Sequence, residues 1–222
     1  MNILKNNMPI TSGILAFENS HWSRGDQELV LRHTLALPFI SAGPVLDIGG
    51  GDGLFSSLIK KKTGFDIRLV DISPIAVQKA REKGLDAEVL DISADLPFHD
   101  KSFGTVCALD VLEHVYDPLF LLCEMKRVGG SVVISVPNFH FILGRISMAF
   151  GYIPFQSKPR RGHIYWFNYP ILLKIIRDAG MHIESISYGP IMRLGVLGRA
   201  LASLWPNVFA DSFVVLLKET GA

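Results

Sequence analysis

The chain has 222 residues, with 22 Lys and Arg against 21 Asp and Glu, for a net charge of +1. So even a balance carries no electrostatic footprint for nucleic acid. Two cysteines, Cys107 and Cys123, cannot build a disulfide framework and fit a reducing cytoplasm. Residues 1–19 read as irregular. Their single lysine and broken apolar stretch do not make a signal peptide. No run approaches the roughly 18 apolar residues of a membrane span.

Glu28 to Leu37 reads as a helix closed by Pro38, and Gly43-Pro44 as a turn. The first strand is predicted at 45–48 and the next helix at 54–62, ending on the solvated cations Lys60, Lys61 and Lys62. A second strand at 66–71 follows. Ser73 and Pro74 supply an N-cap and a first helical residue for a helix to Lys83, closed by Gly84. The third strand is expected at 87–91 and the fourth at 104–109, nearly all apolar, as for a strand covered on both faces. Asp117-Pro118 opens a helix to Arg127, and strand five spans 131–136. This alternation predicts a parallel sheet with right-handed crossovers and helices on both faces.

The tail departs from the alternation. Residues 138–155 are apolar with few charges. A helix is expected at 169–179, strand six at 182–188 and a last strand at 211–218. Helical spacing puts Ile191, Leu194, Leu197 (or Gly198), Leu201 and Leu204 or Trp205 on one face, expected to pack on the body. A membrane-surface helix and a partner interface remain open for the same stretch. With 138–155 it accounts for a mean hydropathy of +0.31 and hints at a lipophilic substrate. With no repeat or linker, residues 1–222 read as one domain. Its core is about 40–137, its cap and substrate-side elements about 138–207, and its final strand about 211–218.

The chemistry concentrates at strand ends. VLDIGGGDG, residues 45–53, is an apolar run ending in Asp47 and followed by Gly49, Gly50, Gly51 and Gly53. Glycines allow a tight turn and close backbone approach to a ligand, and the next helix aims its N-terminus there. The spacing D-x-G-x-G-x-G fails the dinucleotide pattern G-x-G-x-x-G/A from either start, since Leu54 or Ser56 takes the third glycine's place. Asp71, Asp91 and Asp110 end the next apolar runs, at the edge where such sheets bind ligands. The histidines show no H-x-x-x-H spacing and the cysteines no C-x-x-C, so no metal is expected.

The glycine turn with Asp71 resembles the first motifs of class I S-adenosylmethionine (SAM) dependent methyltransferases. FGTVCALDVLEHVYDP, residues 103–118, resembles the segment after strand four in ubiquinone-type and related enzymes. The resemblance implies a Rossmann-like doubly wound α/β fold. Its seven-stranded sheet would be mostly parallel with an antiparallel last strand, under a helical cap. It also implies transfer of the SAM methyl group to a small or lipid-like acceptor, leaving S-adenosylhomocysteine. Asp47, Gly49, Gly50, Gly51 and Gly53 would seat the methionine half, Asp71 and Ile72 the ribose, and Asp91 and Ile92 the adenine. Asp91 as a turn cap is the rival reading. Leu109 and Asp110 would border the cofactor.

Glu113 and His114 would face the reaction centre. His114 is the natural general-base candidate, and a structural His–Glu pair is its rival. Gly162 to Phe167 resembles a substrate-side segment in which His163 would bind or deprotonate substrate and Tyr165 and Trp166 would wall the pocket. Glu18 to Gln27 resembles a segment in which His21, Trp22 and Arg24 form a lid; Trp22 in the core is the alternative. Lys158, Arg160 and Arg161 would attract an anionic substrate or lie in a solvated loop. Residues 124–138 and 207–218 also resemble the MetW proteins of methionine biosynthesis, which implies a homoserine acyltransferase partner instead of methyl transfer. Gly50, where MetW proteins commonly carry cysteine, and the segment ALDVLEH depart from that pattern. The expected location is cytoplasmic, with a peripheral membrane contact open through 191–205.

Overall fold

The computed structural model describes residues 15, 19–20, 22–23, 28–154, 162–189 and 195–221. Helix α1 (Leu31–Ala36) precedes strand β1 (Val45–Ile48), α2 (Leu54–Thr63), β2 (Ile67–Asp71), α3 (Pro74–Glu82), β3 (Asp86–Val89) and β4 (Phe103–Leu109). Then come α4 (Pro118–Val128), β5 (Gly129–Pro137), α5 (Ile142–Ala149), α6 (Tyr169–Asp178), β6 (Met181–Gly189), α7 (Gly195–Leu204), α8 (Pro206–Phe209) and β7 (Ser212–Glu219). The seven strands form one sheet in the order β3-β2-β1-β4-β5-β7-β6. β1 to β5 pair in parallel, and β7 runs antiparallel to both β5 and β6.

The sheet centre explains the apolar runs. Val45, Leu46, Ile48, Val106, Cys107 and Ala108 are fully buried, because helices cover both faces. Local chemistry then places the helices. Ser73 Oγ accepts from Ala76 N at 3.3 Å, Asp117 Oδ1 from Phe120 N at 2.9 Å and Asn168 Oδ1 from Ile171 N at 2.9 Å. Each cap precedes a proline in the first turn, where the missing N–H costs nothing.

Several boundaries differ from the sequence expectation. The helix expected at 28–37 starts at Leu31, and Pro38 sits inside a 3-10 turn, Leu37–Phe39. Proline tolerates such a first turn, so it did not end the segment where expected. β3 ends at Val89, which leaves Asp91 two residues beyond the strand.

The largest correction concerns α7. Ile191 and Leu194 lie outside the described residues. Within α7, Ala202 and Gly198, the alternative to Leu197 on the expected face, are buried and Leu201 is half-buried, while Leu197 is 60% and Leu204 76% exposed, and Trp205 just beyond is 65% exposed. The small side chains let the helix approach β6 closely, and that contact outweighed burial of the leucine face.

The antiparallel register brings the ends of β5 and β6 to the start of β7. Ser212 pairs with both Pro137 and Gly189. The segments leaving β5 and β6, with α5, α7 and α8, therefore emerge at the same edge as the glycine turn. Asn138, fully buried, pins them by donating from Nδ2 to Ala210 O at 2.8 Å.

Candidate functional site

A cleft of about 640 Å³ opens at the carboxyl ends of the parallel strands. That size suits a small organic ligand. One wall is the turn after β1. Gly49, Gly51 and Gly53 take φ of +64°, +57° and +77°, the left-handed region in which other residues are strained. Gly49 and Gly50 N–H groups donate to Val70 O at 2.8 and 3.3 Å, tying the turn to β2. A Cβ at Gly53 would stand 2.3 Å from Leu85 Cδ1, so this glycine lets α2 start against α3. A Cβ at Gly51 would stand 2.1 Å from the Trp22 ring. Trp22 thus lies on the glycine turn and lines the cleft, as a lid would. His21 and Arg24 lie outside the described residues.

The strand-end acids differ in what holds them. Asp47 is 2% exposed, accepts from Ser56 Oγ at 2.6 Å and is approached by Cys107 Sγ at 3.4 Å. Burial pushes its carboxyl up to about 6, against the lowering effect of those two bonds. Asp71 accepts from Gly51 N at 2.9 Å through Oδ2 and from Ser73 N at 2.8 Å through Oδ1. It therefore locks the glycine turn to the start of α3. Each oxygen has a second lone pair, and Asp71 lines the cleft. Burial raises its pKa, and the backbone bonds oppose that rise. Asp91 accepts from Ser93 N at 2.9 Å, the turn-capping contact, and it too borders the cleft beside Ile92.

Asp110 has φ +55° and is held by Ser135 Oγ and by Arg32 Nη1 at 3.1 Å. Of the residues named from the sequence, Asp47, Gly49, Gly50, Asp71, Ile72, Asp91, Ile92, Leu109 and Asp110 line one cavity. Gly51 and Gly53 are not among its lining residues.

Sequence reading missed Arg32 and His33, which line the same cleft from α1. His33 stacks on Phe55 at 5.3 Å and accepts from Val30 N at 3.2 Å. Burial, helped by Arg32, lowers its pKa to about 4, so the ring is neutral. A basic pair inside an apolar helix was the available signal.

The far wall joins two distant segments. Ile164 and Tyr165 N–H groups donate to Glu113 O at 2.9 and 3.0 Å. His114 Nδ1 lies 3.2 Å from Gly162 O, 48 residues away in sequence. The His114 and His163 rings meet edge to face at 4.9 Å, and His163 Nε2 is 3.9 Å from Glu113 Oε1. All three side chains line the cleft. Tyr165 packs against Phe167 and Trp166 against Phe139, beside the cleft and not among its lining residues. Lys158, Arg160 and Arg161 lie outside the described residues.

Comparison with known proteins gives this geometry its family. The model described as a methyltransferase domain matches residues 22–186. A ubiquinone biosynthesis O-methyltransferase of Azoarcus sp. is 29% identical over 169 residues, 70% of this chain and 72% of the relative. A demethylmenaquinone methyltransferase of Tropheryma whipplei is 30% identical over 132 residues, 56% of this chain and 52% of the relative. The chain thus spans about half to three quarters of the length of these curated relatives. In fold it resembles magnesium protoporphyrin IX methyltransferase from Synechocystis, solved with bound S-adenosylhomocysteine. The TM-score is 0.67 at 17% identity, over 93% of this chain and 98% of that one. The chain belongs to the methyltransferase-domain family and carries the fold of class I SAM-dependent methyltransferases.

Proposed function

We propose that the chain transfers the SAM methyl group to an oxygen of a small ring-bearing acceptor, a quinone precursor with an apolar tail. The observation that carries this reading is the two-sided cleft. The glycine turn, Asp71 and Asp91 stand at one end, and Glu113, His114 and His163 at the other. Asp71 would hold the ribose hydroxyls, Asp91 and Ile92 the adenine, and the turn at Gly49 and Gly50 the methionine half. The acceptor would enter between Leu109 and His163. Methyl transfer needs the acceptor oxygen in line with the sulfonium carbon, and positioning supplies much of the rate. His114 and His163 are the candidates for managing the hydroxyl proton.

The named activities of the two quinone-pathway relatives support an oxygen- or ring-bearing small acceptor. The apolar tail is inferred from α5 and α7. Leu143, Ile146, Leu197 and Leu204 are exposed on the sheet edge that carries the cleft. Among the described residues no helix is long and apolar enough to cross a membrane. The reading is of a cytoplasmic protein that meets its acceptor at a lipid surface.

The test is transfer of radiolabel from methyl-labelled SAM to a dihydroxy aromatic with a short alkyl tail. Label in the organic extract, absent with Asp71→Ala, supports the reading. Label in no aromatic acceptor, by a chain that binds SAM, overturns it.

A further inference from the structure

We propose that Glu113, His114 and His163 form a binding site for one divalent first-row transition cation at the acceptor end of the cleft. One ligand atom from each lies within 4.8 Å of the others. Bonds of about 2.1 Å to a common ion require ligand atoms roughly 3.0–3.4 Å apart. The widest separation must then shorten by roughly 1.5 Å, which rotation of two side chains can share. Two imidazoles and one carboxylate are a donor set for Zn²⁺, Fe²⁺, Co²⁺ or Mn²⁺, with positions left open for an oxygen ligand.

The backbone enforces the convergence. Glu113 O receives both Ile164 N and Tyr165 N, so the two segments are clamped one residue from His163. Gly162 holds φ +69°, in the left-handed region, and its carbonyl oxygen lies 3.2 Å from His114 Nδ1. A carbonyl only accepts, so Nδ1 carries the proton, and Nε2 is the nitrogen that would bind a cation. Histidines that bind metals are oriented by this kind of second contact. Glu113 is 1% exposed, so a metal–carboxylate bond there would be shielded from competing water.

The catalytic consequence rests on the methyl-transfer reading above, whereas the site does not. An acceptor hydroxyl bound to the cation loses its proton to water near neutral pH. The resulting oxygen lone pair forms the new C–O bond as the S–CH₃ bond breaks with its electrons to sulfur. The products are a methyl ether and S-adenosylhomocysteine. The two histidines then act as ligands, and neither is a base.

The full chain, stripped by chelator and dialysed, is titrated calorimetrically with Mn²⁺ and Zn²⁺. Its Co²⁺ form is examined by visible absorption. The expected result is one cation per chain at micromolar or tighter affinity. Weakening of at least tenfold is expected in Glu113→Gln and His163→Ala, with no change in the outer-strand control His182→Ala. Ligand-field bands more intense than those of aqueous Co²⁺ must appear in the wild type, which keeps the test independent of how the variants fold. No binding by the wild type, or equal binding by His163→Ala, overturns the site. Cation binding without methyl transfer to any aromatic acceptor overturns the functional reading alone. Methyl transfer by cation-free protein overturns the site's catalytic role.

Discussion

The two ends of the cleft are built in different ways. The end formed after β1 and β2 is local. Its glycines, Asp71 and the start of α3 lie within one βαβ unit, and backbone bonds from Gly51 and Ser73 to one carboxylate lock it. The end formed after β4 is assembled from segments far apart, joined by Glu113, His114 and Gly162. It opens beside helices whose apolar side chains face outward. A rigid, local end suits a cofactor common to a family, and an assembled end leaves room to change the acceptor.

Breaking the local end should have the largest effect. Gly51→Val places a branched side chain at φ +57° and against Trp22. Left-handed strain alone costs roughly 1–2 kcal/mol, and loss of the turn's shape should lower SAM affinity on the order of a hundredfold. Calorimetry with SAM checks this; near-native affinity would show that the turn is not the seat of the cofactor.

Next is Asp47, whose carboxyl titrates near 4 when unfolded and about 6 in the fold. Between those values the folded state holds the extra proton, so stability falls as pH rises from about 4 through 6 and then levels. Asp47→Asn removes that slope. Relative to wild type the variant should gain about 1–3 kcal/mol between pH 4 and 7.5. Urea midpoints at both pH values measure it, and parallel pH profiles would deny the burial effect.

Trp22 offers a smaller, optical test. If its ring covers the occupied turn, SAM should change the emission of the chain, and Trp22→Phe should abolish that change while Trp205→Phe keeps it. A signal that survives in Trp22→Phe places the lid elsewhere.

The smallest change in stability is expected on α7. Leu197→Ser, at an exposed position, should alter unfolding free energy by less than about 0.5 kcal/mol, yet weaken binding to anionic lipid vesicles. Destabilisation well beyond that would mean the leucine face packs on the body after all.

What was legible in the sequence follows the same division. Gly49 to Gly53, Asp71 and the strand–helix alternation are short-range patterns, and backbone conformation forces their residue types. The family resemblance then supplied the antiparallel last strand, which periodicity alone did not. On the acceptor side, His114 and His163 were named separately. Their meeting depends on a chain reversal of 48 residues held by a carbonyl contact, which no spacing rule registers. α7 was misread because helical spacing shows where an apolar stripe lies, and not whether tight packing of Gly198 and Ala202 will turn it outward. Arg32 was passed over because its partner, Asp110, arrives from another strand.

The central claim is that SAM sits at the carboxyl edge of the sheet with its ribose on Asp71. The direct measurement is calorimetric titration with SAM and with S-adenosylhomocysteine, wild type beside Asp71→Ala. Loss of charge-assisted hydrogen bonds worth roughly 1.5–3 kcal/mol should weaken both ligands about tenfold to a hundredfold in a variant that remains folded. Equal affinity in the two proteins, or no binding by folded wild type, would contradict it.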